Sequence, residues 1–258
     1  MLGDIKLKEI VSIIMLSIII IVINLNPLVV NGAVYGVSSA IEKYRVDYIT
    51  NSYMTQTSEH FVIKYTQKDN NNIKMIIDDA EQSFSKLCEI FKYTSNEKLT
   101  IIVFADNKSM NEILKLPQYQ KSMGLYYSDF ISILSPDVWI PSSKDKKAIF
   151  EAKGPILHEL VHYFIDKKTN GNYPRWFTEG VALYFEKEFL GFEINSESDM
   201  VYTIDELNNN FEQLDQDAAY KNSYEIISRY IKTYGIDRLL NITKMLGAGY
   251  YLEEFRNL

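Results

Sequence analysis

The segment His158-Glu-Leu-Val-His162 restricts most strongly what this chain of 258 residues can fold into. Residues four apart lie one above the other on an α-helix, so His158 and His162 present their imidazoles on one face. Two neutral imidazoles at this spacing can both bind one zinc ion, at about 2.0–2.1 Å from each ring nitrogen. Glu159 lies about 100° further around the helix, where its carboxylate can reach a metal-bound water without binding the metal. This arrangement suits metal-assisted hydrolysis, in which the glutamate takes a proton from the water.

The five-residue motif also occurs by chance in proteins that bind no metal. The residues that flank it favour a metal site. Two histidines and a carboxylate buried together cost free energy unless a partner such as a divalent cation neutralises them. The whole sequence contains three histidines, and two of them lie in this motif. Apolar residues on nearly every face predict that this helix is buried: Ile156, Leu157, Leu160, Val161, Phe164 and Ile165.

A second helix is predicted soon after the first, and it carries a third candidate ligand. The turn signal Asn170-Gly171 separates the two helices, and Pro174 suits the first turn of the second. Glu179 follows His162 by 17 residues, and Gly180 beside it permits close approach of another helix. A helix–loop–helix of this length can place Glu179 as a third zinc ligand. Two histidines, one carboxylate and one water form a catalytic zinc set.

These motifs resemble those of the gluzincin metallopeptidases, and specifically the bacterial peptidase MA-like domain. The similarity lies in the HExxH motif followed by a glutamate in a Trp-x-x-Glu-Gly-x-Ala context, here Trp176–Ala182. It covers residues 59–258 and includes the segments Glu59–Tyr65, Gly124–Tyr127 and Ala219–Ser223.

The resemblance implies the roles of four residues and the general architecture. In that family the two histidines and the downstream glutamate bind zinc, which implies one zinc ion on His158, His162 and Glu179. The glutamate of the first motif is the general base, which implies that role for Glu159. The expected fold is α+β and zincin-like, with a mixed sheet and helices first, a mainly helical half second, and the zinc site in the cleft between them. The edge strand before the zinc helix is expected to hold extended peptide substrate by backbone pairing.

A tyrosine is the candidate for stabilising the negative charge of the transition state. In the related aminopeptidases this tyrosine opens a Tyr-x-Lys-Gly segment that leads into a helix. Tyr220 is the matching position, although its segment departs from that pattern at the third and fourth residues. Tyr224, one turn later on the same face, is the alternative, and simple packing of Tyr220 at a helix start is another. The sequence has no Gly-x-Met-x-Asn motif before the zinc helix, so an exopeptidase is not supported.

The hydrophobic pattern predicts the remaining elements. Alternating or continuous apolar residues predict strands at 61–65, 99–104, 124–127 and 130–134, with 99–104 in the centre of the sheet. Helical periodicity predicts a prominent amphipathic helix over 73–91. Further helices are predicted over 40–48, 107–116, 145–153, 204–211, 223–234 and 236–246, with Gly235 ending the helix over 223–234.

The N-terminal segment, residues 1–32, is predicted to be a membrane anchor or a signal peptide. Lys6 and Lys8 precede the apolar run Ile10–Ile23. This run has 14 residues, a signal-peptide length, and reaches 21 residues if it is extended to Val30, which is enough to span a bilayer. The positive residues before it predict export of everything that follows. The chain is therefore expected in the cell membrane with its catalytic domain outside the cytoplasm, or secreted after cleavage.

The sequence thus predicts a zinc metallopeptidase domain over 59–258, joined to the N-terminal segment by a connector over 33–58. The expected partners are a peptide or protein substrate and the membrane. The net charge of −7 argues against nucleic acid as a partner, because an acidic surface repels phosphates. Two alternatives are a catalytically inactive zinc-binding module at the membrane and a membrane-attached structural protein with an accidental motif. Intact Glu159 argues against the first and Glu179 against the second.

Overall fold

The structure, a computed structural model, describes residues 27–117, 121–141, 145–194, 197–248 and 255. The apolar run Ile10–Ile23, on which the predicted anchor or signal peptide depends, lies outside these residues. Within the part of the chain that the structure describes, no helix is both long enough and apolar enough to cross a membrane.

The described chain contains five strands and ten α-helices. The first half comprises α1 (Pro27–Ile49), β1 (Met54–Thr57), β2 (Phe61–Tyr65), α2 (Ile73–Phe91), β3 (Leu99–Phe104), α3 (Asn107–Leu114), β4 (Gly124–Tyr127) and β5 (Phe130–Leu134). The second half comprises α4 (Pro136–Trp139), α5 (Lys146–Lys153), α6 (Ile156–Thr169), α7 (Arg175–Leu190), α8 (Ile204–Asn210), α9 (Gln216–Tyr234) and α10 (Ile236–Gly247).

The strands form one mixed sheet in the order β1-β2-β3-β5-β4. The inner strands β2, β3 and β5 are parallel, whereas β1 and β4 pair antiparallel at the two edges. All six residues of β3 are buried, as expected for a strand with neighbours on both sides and both faces covered. The structure therefore confirms the α+β class, the mixed sheet and the central position of residues 99–104. The predicted cleft between the two halves stays a prediction.

The helices of the second half pack around α7, and Gly180 permits the closest approach. A Cβ atom added to Gly180 would lie 2.7 Å from Cγ1 of Ile227 on α9 and still closer to the main chain at Ser223. The sequence predicted a close helix contact at Gly180, and the helix that approaches there is α9.

Two parts of the chain differ from their sequence predictions. The helix predicted over 40–48 extends over Pro27–Ile49, and β1 pairs with β2, so residues 33–58 form most of α1 and an edge strand. The domain boundary at residue 59 stays a prediction. The helix predicted over 223–234 begins at Gln216, because the Asp215 side chain accepts a hydrogen bond from the amide of Ala218 and caps the helix.

Replacing Gly180 with alanine is expected to destabilise the fold, because the new methyl group has no space between α7 and α9. Overpacking of this kind costs about 1–3 kcal/mol in the free energy of unfolding, which denaturant titration can measure. Gly36→Ala is the matched control, since Gly36 also lies in a helix but has no atom within 4 Å of an added Cβ. Equal stability of the Gly180→Ala chain and the wild type would contradict this packing.

Candidate metal centre

The two histidines of the motif lie on one face of α6, as their spacing predicts. Gly154 ends α5, and α6 starts at Ile156 directly after Pro155, so His158 lies in the first turn. The ring centroids of His158 and His162 are 4.7 Å apart. Their side chains are 18% and 12% exposed, so solvent reaches a site that is otherwise enclosed.

Glu179 from α7 meets both imidazoles. Its Oε2 atom is 3.2 Å from Nε2 of His158 and 3.7 Å from Nε2 of His162. One donor atom from each of the three residues lies within 4.8 Å of the other two. Donors that each bind zinc at about 2.0–2.2 Å in a tetrahedral site must be about 3.4 Å apart. The two distances to Glu179 are close to this value, so the three residues could hold a metal ion between them.

The opposite ring nitrogens are held by α7, through two residues that the sequence analysis missed. Nδ1 of His158 is 3.1 Å from Oε2 of Glu186, and Nδ1 of His162 is 2.6 Å from Oγ1 of Thr178. Such partners fix the orientation of a metal-binding imidazole and leave Nε2 for the metal. The sequence carried a usable signal, since Thr178 is adjacent to Glu179 and Glu186 follows Glu179 by two helical turns.

Burial and neighbouring charges shift the pKa values of the three candidate ligands in different directions. Burial lowers the pKa of His162 to about 4, which leaves this imidazole neutral. Burial disfavours the charged form of Glu179, but His162, His158 and Arg175 outweigh it and lower the pKa of Glu179 to about 2. Burial also disfavours charge on His158, yet its contacts with Glu179 and Glu186 raise its pKa. The same carboxylates that raise the pKa of His158 would also favour a divalent cation at this site.

Glu159 follows His158 directly on α6 and faces the edge strand β4. It is 6% exposed, and its Oε2 accepts a 2.6 Å hydrogen bond from the main-chain N–H of Tyr126. Gly124 makes this approach possible, because a Cβ there would lie 2.5 Å from Pro155 Cβ and 2.8 Å from Oε1 of Glu159. Burial raises the pKa of Glu159 to about 7. The carboxylate is therefore oriented by a strand and suited to exchange a proton near neutral pH.

Of the two candidate tyrosines, Tyr220 is the one that Arg175 links to Glu179. Its hydroxyl accepts a 3.2 Å hydrogen bond from Nη2 of Arg175, whose Nε lies 3.3 Å from Oε1 of Glu179. Tyr224 lies on the side of Tyr184, whose pKa is raised by burial, by Glu188 and by Tyr224. The sequence predicted that Tyr220 precedes this helix. Because α9 starts at Gln216, Tyr220 lies inside it. Arg175 is a further residue that the sequence analysis missed, and it links the proposed ligand to the tyrosine.

Comparison with known proteins places this site in a family. Residues 79–256 match the family model of the peptidase MA superfamily, so more than half of the chain is covered, including α6, α7 and α9. No curated protein sequence matches the chain. The family model and the meeting of two histidines with a glutamate agree on a metallopeptidase-like domain. The chain belongs to the peptidase MA superfamily.

Proposed function

We propose that this protein is a zinc-dependent peptidase of the gluzincin type that hydrolyses peptide bonds outside the cytoplasm. The observation that carries the proposal is the meeting of His158, His162 and Glu179, with the carboxylate of Glu159 close by and held by another element. The three donors would hold zinc, and the metal would lower the pKa of a bound water and polarise the substrate carbonyl. Membership of the peptidase MA superfamily supports a peptide or protein substrate.

Four residues of the chain would have separate roles in the hydrolysis. Glu159 would take the proton from the attacking water and pass it to the leaving amine, as a general base and then a general acid. The Tyr220 hydroxyl would donate a hydrogen bond to the oxygen on which negative charge develops. Arg175 and Glu186 would act as positioning residues, because they contact Tyr220, Glu179 and His158.

The location outside the cytoplasm rests on Lys6, Lys8 and the apolar run Ile10–Ile23. We propose a membrane anchor, with a cleaved signal peptide as the alternative. Cell fractionation with an epitope after Leu258 distinguishes them: full-length chain in the membrane fraction supports the anchor, and shortened chain in the medium supports the signal peptide. Full-length chain in the cytosol would contradict both.

Glu179→Ala should weaken zinc binding by two orders of magnitude or more, because two imidazoles alone leave the metal with too few protein ligands. The measurement is a competition titration of the purified full chain against a chelator of known zinc affinity. Glu188→Ala is the matched control, since this exposed glutamate lies on the same helix. Unchanged zinc affinity of the Glu179→Ala chain would exclude Glu179 as a ligand.

Glu159→Gln should retain the fold and the bound zinc but lose peptide hydrolysis by about 100-fold or more, because an amide cannot accept the proton of the water. Turnover of casein and of a peptide library measures the loss, and zinc content is determined on the same samples. Undiminished turnover would contradict the role of Glu159. A wild-type chain that binds zinc and cleaves nothing in the library would favour the inactive binding module.

Tyr220→Phe should lower kcat about 100-fold and leave KM and zinc content nearly unchanged, since the hydroxyl contributes mainly in the transition state. Tyr224→Phe is the matched control, because Tyr224 lies one turn further along the same helix. A loss of kcat in the Tyr224→Phe chain alone would show that the wrong tyrosine was assigned.

A further inference from the structure

A hydrogen-bond network around the buried Asp166 connects helix α1 to the carboxylate of Glu159. Its centre is Asp166, which lies on α6 two turns after Glu159 and is 5% exposed. Both carboxylate oxygens of Asp166 are used. Oδ1 accepts a 2.8 Å hydrogen bond from the hydroxyl of Tyr35, and Oδ2 accepts one of 2.8 Å from the hydroxyl of Tyr126.

Tyr126 connects Asp166 to Glu159 because it donates twice to the same helix. Its main-chain N–H donates to Oε2 of Glu159 at 2.6 Å, and its hydroxyl donates to Asp166. Tyr126 is 8% exposed, so its ring has little freedom to turn. The two donations attach β4 to α6 at two points, seven residues apart on the helix. The hydroxyl of Tyr126 also lies 3.2 Å from Oδ1 of Asp129, and the main chain of β4 is paired along β5. The hydrogen bond to Asp166 adds to these contacts and helps to fix the Tyr126 amide opposite Glu159.

Tyr35 completes the network from a distant part of the chain. Its ring packs on Gly171 at the turn after α6, where a Cβ atom would lie 2.7–2.9 Å from three ring atoms. Gly171 has a φ of +75°, a conformation that glycine adopts without strain. Tyr35 and Asp166 are 131 residues apart in the sequence. The helix that carries Tyr35 is thus fastened to the end of α6 through a position that only glycine fits.

We propose that Tyr35, Asp166 and Tyr126 position the general base Glu159. Helix α1 would then contribute to catalysis through the hydroxyl of Tyr35. This inference rests on the proposed role of Glu159. Loss of the Tyr35 hydroxyl would leave Oδ1 of Asp166 unpaired in a buried place, and Asp166 would then hold Tyr126 less firmly. The expected consequence is a looser hydrogen bond between the Tyr126 amide and Glu159, with little change at the zinc ligands.

The first measurement is amide hydrogen exchange of the zinc-free full chain, which requires no activity. Tyr35→Phe and Asp166→Asn should raise the exchange rate of the Tyr126 amide about fivefold or more, the factor that corresponds to one lost hydrogen bond. Tyr44→Phe is the matched control, because Tyr44 lies on the same helix and is 74% exposed. The amide of Ile102 on the central strand reports general loosening. A Tyr126 amide that exchanges as in wild type, or an equal rise at Ile102, would overturn the proposal.

The second measurement separates positioning from loss of stability. Tyr35→Phe should lower kcat about fivefold with unchanged KM and zinc content, and it should have no further effect in a Glu159→Gln chain, because the group it positions is then gone. An equal fractional loss in both backgrounds would overturn the proposal. If the wild-type chain hydrolyses no peptide, the proposed function fails, and the exchange of the Tyr126 amide still decides whether the network holds this carboxylate.

Discussion

The buried helix α6 sets the constraint on which the rest of the structure depends. It carries His158, Glu159, His162 and Asp166 into an interior where each polar atom needs a partner, since an unpaired buried group costs free energy. Partners come from three directions: α7 contacts the two imidazoles, β4 contacts Glu159, and β4 together with α1 contacts Asp166. The surrounding elements are therefore arranged around the polar groups of one helix.

The edge position of β4 has two consequences for the proposed chemistry. An edge strand has main-chain groups without a strand partner, and here the N–H of Tyr126 is used to orient Glu159. The carbonyl of Gly124 also accepts a hydrogen bond, from the Ser122 hydroxyl. Pairing of a substrate with this edge stays a prediction. A substrate strand would have to use other groups of β4 or displace these two hydrogen bonds.

The helix α7 combines several functions in one short segment. Glu179 offers the third donor, Thr178 and Glu186 orient the imidazoles, and Arg175 contacts both Glu179 and Tyr220. Gly180, next to the proposed ligand, lets α9 approach closely enough to bring Tyr220 to the same site. Close packing of α7 and α9 and the geometry of the proposed site thus depend on the same few residues.

The sequence by itself determined the elements and the donors that local patterns encode. Alternation and helical periodicity predicted the central strand and the main helices, and the spacing of His158 and His162 is a property of one helix. Only the tertiary structure decided the contacts between distant segments. Three contacts of this kind join separate helices: Glu186 with His158, Arg175 with Tyr220, and Tyr35 with Asp166. The periodicity within one helix cannot predict them. The start of α9 was missed for a related reason: its cap, Asp215, lies outside the apolar pattern that the prediction followed.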